Sequence, residues 1–187
     1  MNKNPAQNVN NKTSCWQIRK PALGFFTFTM VLPENAVILL VEDRADDIKV
    51  IQRALLKAAI YNPLIVVHDG EEALAYLDGN GKFSDRKLFP LPDLILLDLK
   101  MPRLDGFEVL AEMRKRPALK AIRVIVLTSS EDIYDVNRAY ELGASSFLVK
   151  PHEFENYTNL VQTLQRFWLR QNAMPSASPQ PPVRESP

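Results

Sequence analysis

Asp93-Leu94-Ile95-Leu96-Leu97-Asp98 places four large aliphatic residues between two carboxylates, and a turn follows at once in Leu99-Lys100-Met101-Pro102-Arg103-Leu104-Asp105-Gly106. A continuous apolar run of this length, bounded by turn residues, reads as a strand covered on both faces. Asp98 at its carboxyl end stands where burial costs several kcal/mol unless a cation or hydrogen-bond donors meet the charge. Such a position marks chemistry more often than packing.

Working outward, a second apolar run, Val37-Ile38-Leu39-Leu40-Val41, ends in Glu42-Asp43, and two later runs end in Thr128 and in Lys150-Pro151. The pattern predicts strands over about 36–42, 64–68, 93–98, 123–128 and 145–149. Helical periodicity fills about 46–59, 71–78, 106–116, 132–142 and 153–171. Strict alternation of strand and helix implies a parallel sheet with helices on both faces, a doubly wound α/β fold. Gly70, Gly106 and Gly143 fall at three of the junctions, where flexible or left-handed backbone is expected. The segment 79–92 reads as a solvated surface loop.

In an open parallel sheet the carboxyl ends of the strands share one edge, and ligands bind there. Glu42, Asp43, Asp98, Thr128 and Lys150 are therefore expected to converge. Clustered carboxylates repel each other, and a hard divalent cation relieves that repulsion. Mg²⁺ suits an oxygen-only ligand set, and the lack of His or Cys in these motifs argues against zinc. Beside a cation, Asp98 can act as a nucleophile towards phosphorus, while Lys150 and the Thr128 hydroxyl meet the phosphoryl oxygens. Asp105, next to Gly106, reads as a turn residue outside the site, and His68 and His152 receive no role.

The chain of 187 residues, 46% hydrophobic, suffices for one good core. A net charge of +1 offers no basic field for nucleic acid or an anionic membrane. Cys15 is the single cysteine, so neither an intrachain disulfide nor a thiolate cluster forms, and a cytoplasmic setting is expected. No apolar run reaches the roughly 20 residues of a membrane-spanning helix. Residues 1–33 read as a disordered or loosely docked extension, with Met30 as an alternative start, 34–172 as the folded domain, and 173–187 as a Pro-rich tail. Phe154, Tyr157, Leu160, Val161, Leu164, Phe167 and Trp168 form one apolar face of the last helix. Its end, Phe167-Trp168-Leu169, is expected to pair with a second subunit in a homodimer.

Four motifs in order, Val41-Glu42-Asp43, Leu97-Asp98-Leu99-Lys100-Met101-Pro102-Arg103-Leu104-Asp105-Gly106, Val126-Leu127-Thr128-Ser129 and Phe147-Leu148-Val149-Lys150-Pro151, resemble the response-regulator receiver domains of two-component signalling. The resemblance implies a flavodoxin-like receiver of five parallel strands in order 2-1-3-4-5 with five helices. It also implies that Asp98 is the phospho-acceptor, that Glu42, Asp43, Asp98 and the Lys100 backbone carbonyl hold Mg²⁺, and that Lys150 pairs with the phosphoryl group. Thr128 and Phe147 correspond to the coupled hydroxyl and aromatic switch, and the Lys150–Pro151 bond to a cis peptide. The insertion before the third strand and the Phe167-Trp168-Leu169 ending are similar to receivers that partner bacterial phytochrome-type histidine kinases. A single-domain response regulator, phosphorylated by a histidine kinase or phosphotransfer protein and signalling by protein contact, is the expected function. Two alternatives stand beside it. One is a phosphorylation-independent adaptor in which the Lys100 ammonium pairs with Asp98 or Asp43, and the other is a Mg²⁺-dependent phosphohydrolase.

Overall fold

The computed structural model describes residues 35–164. Five parallel strands, β1 (Ile38–Val41), β2 (Leu64–Val67), β3 (Leu94–Leu97), β4 (Arg123–Thr128) and β5 (Ser146–Val149), lie in the order β2-β1-β3-β4-β5. They alternate with α1 (Ala45–Lys57), α2 (Gly70–Asp78), α3 (Gly106–Arg114), α4 (Ile133–Glu141) and α5 (Phe154–Leu164). The expected architecture is thus observed. The Phe167-Trp168-Leu169 ending and both tails lie outside the described residues.

Strand alternation sorts the core into two layers, because successive side chains leave a strand on opposite faces. Ile38, Leu40, Leu94, Leu96, Ile125 and Leu127 meet Ile51 of α1 and Val161 of α5. Leu39, Val41, Ile95, Leu97, Val124 and Val126 meet residues of α2, α3 and α4. The register aligns Val41 of β1 with Leu97 of β3, and the Asp98 N–H donates to the Val41 carbonyl at 3.0 Å. Glu42 and Asp98 therefore leave the adjacent strands β1 and β3 side by side.

Three expectations are corrected. The segment 79–92 is a surface loop with most residues exposed, as expected, but it is anchored rather than merely solvated: Phe83 is buried, and edge-to-face contacts join it to Tyr76 at 5.1 Å and to Phe89 at 5.3 Å. Arg86 donates to the Leu77 carbonyl at 2.7 Å and to the Tyr76 carbonyl at 2.8 Å, the latter also accepting from the Gly79 N–H, so the side chain caps the carboxyl end of α2. Gly143 is left-handed, with φ of 92°, but Gly106 is required for space: a Cβ there would overlap the Asp98 carbonyl oxygen and stand 2.8 Å from Leu99 Cα. The third correction concerns Lys150–Pro151, which is trans, as are all peptide bonds of the described residues. Trans is the state most X-Pro bonds prefer in the absence of a constraint.

Candidate functional site

Glu42, Asp98 and Lys150 each stand one residue beyond a strand end, and their side chains continue the alternation of Leu40, Leu96 and Leu148, all of which face α1 and α5. Register and alternation together bring residues up to 108 positions apart into direct contact. Lys150 Nζ donates to Glu42 Oε2 at 2.6 Å, Asp98 Oδ2 at 2.7 Å and Asp47 Oδ2 at 2.9 Å. An ammonium has three N–H donors, so each has a carboxylate.

The cluster is buried. Side-chain exposure is 5% for Lys150, 1% for Glu42 and 4% for Asp98. One ammonium among so many acids leaves the group short of positive charge. Burial, the largest influence on Glu42, raises its carboxyl to about 7 against the lowering effect of the Lys150 hydrogen bond and charge. Burial alone would lower Lys150, but hydrogen bonds and charge from Asp98 and then Glu42 outweigh it and hold the ammonium above the ordinary lysine range.

One oxygen is left over. Asp43 Oδ1 is buried without a hydrogen-bond partner, although buried polar atoms are nearly always satisfied. Oxygens of Glu42, Asp43 and Asp98 lie within 4.8 Å of one another. An orphaned acceptor in an oxygen-only cluster with excess negative charge fits a hard divalent cation such as Mg²⁺. The Lys100 N–H donates to Asp98 Oδ1 at 3.2 Å, which turns the start of the β3–α3 loop around the Asp98 carboxylate. The ion pair to Asp98 comes from Lys150, not from the exposed Lys100 side chain.

Thr128 and Phe147 occupy different ground. Thr128 shares the alternation of Val124 and Val126 and is fully buried, and its carbonyl accepts from the Lys150 N–H at 2.8 Å. Its hydroxyl oxygen accepts from the Ser130 N–H at 3.4 Å, and the Ser130 hydroxyl in turn donates to Asp135 on α4. Phe147 is half-buried against the α2–α3–α4 layer, on the face opposite Lys150. The expected switch pair therefore lies on the α4 side of the sheet, while the charge cluster lies on the α1 side. Asp105 is outside the cluster, as expected: it caps α3, accepting from Glu108 N–H at 2.8 Å while the Glu108 carboxylate accepts from the Asp105 N–H.

Asp47 was not anticipated as a site residue, although a signal exists. Asp47, Ile51, Ala54 and Leu55 fall on one helical stripe, and the last three are buried. A carboxylate occupying the first core-facing position of α1 needs a cation, and Lys150 supplies it.

Comparison with known proteins points to one family. The response regulator receiver domain family matches residues 38–162. Response regulator Rcp1 of Synechocystis is 41% identical over 141 residues, covering 75% of this chain and 94% of that protein. The crystal structure of the phosphorylated cyanobacterial phytochrome response regulator RcpA is similar at a TM-score of 0.68 and 38% identity, covering 76% of this chain and 99% of that one. The Mn²⁺-bound form of Rcp1 is similar at a TM-score of 0.66 and 40% identity, covering 75% and 99%. This chain belongs to the response regulator receiver domain family.

Proposed function

We propose that this receiver domain is a phosphorylation switch in which Asp98 accepts a phosphoryl group from a histidine kinase or phosphotransfer protein. The observation that carries the proposal is the set of buried Glu42, Asp98 and Lys150 with half-buried Asp43, in which one ammonium faces excess carboxylate and the buried Asp43 Oδ1 has no partner. In the reaction an Asp98 carboxylate oxygen attacks phosphorus, the bond from phosphorus to the donor nitrogen breaks, and its electron pair leaves on the imidazole. Glu42, Asp43, Asp98 and the Lys100 carbonyl would hold Mg²⁺, which when bound neutralises charge on the transferring group.

This chain's own groups do the rest. Lys150, already bonded to Asp98, would pair with a phosphoryl oxygen, and the Thr128 hydroxyl would swing towards the strand edge to donate to another. The exchange draws on a chain already linked from Thr128 through Ser130 to Asp135 of α4, and Phe147 on the same face follows. A shift in the population of the α4–β5 surface would then change which partners bind. Similar solved structures named as phytochrome and bacteriophytochrome response regulators favour a phytochrome-type kinase as donor.

The adaptor reading loses its main support, since the Lys100 side chain is exposed and Lys150 holds Asp98. Incubation with acetyl phosphate and Mg²⁺, followed by intact mass, tests the proposal. Wild type gains the mass of one phosphoryl group and Asp98→Asn gains none; an unmodified wild type, or an equally modified variant, overturns it.

A further inference from the structure

The three partners of Lys150 are not equivalent. Glu42 and Asp98 carry oxygens of the candidate cation cluster, whereas Asp47 comes from the first turn of α1 and stands outside it. An ammonium bonded only to Glu42 and Asp98 would compete with a divalent cation for those same two carboxylates. A third carboxylate outside that pair shares the ammonium's charge and ties it to α1 as well. Asp47 meets these requirements. Its side chain is 17% exposed, its Oδ2 lies 2.9 Å from Lys150 Nζ, and the other cation near it, the largely exposed Arg44, stands at 4.0 Å.

We propose that Asp47 is a positioning residue that takes up part of the Lys150 ammonium's charge and hydrogen-bonding capacity, which Glu42 and Asp98 would otherwise hold alone, and so sets how tightly the domain binds Mg²⁺. The inference rests on the functional reading above and extends it to a residue that touches neither phosphorus nor metal. The neighbouring Asp46 provides the control, because it carries the same charge on the same helical turn but is 89% exposed and pairs with Lys49. A general loss of negative charge would affect both positions alike. A contact to Lys150 exists at Asp47 alone of the two.

The test is calorimetric titration of the full chain with Mg²⁺, which needs no phosphoryl transfer. Asp47→Asn should raise the dissociation constant about tenfold, the lower end of the cost of removing a residue behind metal ligands. Asp46→Asn should stay within about twofold, as expected of an exposed charge screened by salt, and Asp47→Glu should recover part of the loss. In a Lys150→Met background, Asp47→Asn should do no more than Asp46→Asn. Equal effects of the two Asn substitutions in the wild-type background overturn the inference, and so does an undiminished Asp47→Asn effect without Lys150. If Lys150→Met does not fold, the comparison of the two Asn variants decides alone. Failure of the functional reading looks different: wild type then gains no phosphoryl mass, whereas a wild type that binds no Mg²⁺ overturns the inference as well.

Discussion

Gly106 lies so close beneath Asp98 that a Cβ on it would overlap the Asp98 carbonyl oxygen. The start of α3 and Asp98 are therefore packed backbone to backbone, with the Gly106 N–H donating to the Leu99 carbonyl at 3.1 Å. Gly106→Ala must push the two apart. Overpacking of this kind costs about 1–3 kcal/mol. Urea unfolding should show that loss, and Mg²⁺ titration should show weakened binding, since Asp98 moves with the loop; a variant with unchanged stability and affinity would contradict the packing.

Lys150 is the internal counterion. Its replacement by Met leaves carboxylates buried without compensation, and breaking a buried pair from one side costs about 3–5 kcal/mol. Added Mg²⁺ should recover more stability in this variant than in wild type, because a cation then does what the ammonium did. Thermal melts with and without Mg²⁺ measure the difference, and equal gains would show that the ammonium and the metal do not share carboxylates.

The raised Glu42 carboxyl gives a definite pH dependence. Its folded value of about 7 exceeds the ordinary 4.5, so the folded state binds the proton more tightly than the unfolded chain. The resulting stability is fully present below pH 4.5 and is lost as pH rises through about 7. The shift corresponds to about 3 kcal/mol at most. A cation requires the ionised form, so Mg²⁺ affinity should climb from pH 5.5 towards 7 and level off above it. Calorimetry across that range checks the trend, and a flat profile would remove Glu42 from the metal-linked groups.

Phe83 should separate stability from function. It is 4% exposed and pinned between Tyr76 and Phe89, on the α2 side of the sheet and away from the charge cluster. Phe83→Ala should cost about 3–5 kcal/mol by opening a cavity. Mg²⁺ affinity of the remaining folded protein should match wild type, and urea melts paired with titration test both halves of the statement.

Much of this molecule is legible one strand at a time. The aliphatic runs ending in Glu42, Asp98, Thr128 and Lys150 follow from period and length, and the fold follows from their alternation with helices. Hydrophobic pattern is local, so it survives in the sequence. The docking of 79–92 is not local: Phe83, Phe89 and Arg86 read as loop residues until α2 presents Tyr76 and its terminal carbonyls to them.

By itself the sequence determined which residues end the strands, and hence which side chains reach the functional edge. Only the tertiary structure decided which of them meet. The register of β1 against β3 sets Glu42 beside Asp98, strand alternation sends Lys150 to the α1 face and Phe147 to the other, and the packing of α1 brings Asp47 to the ammonium. Those contacts join positions up to 108 residues apart. They depend on how strands pair and helices cover them, which no short window of sequence contains.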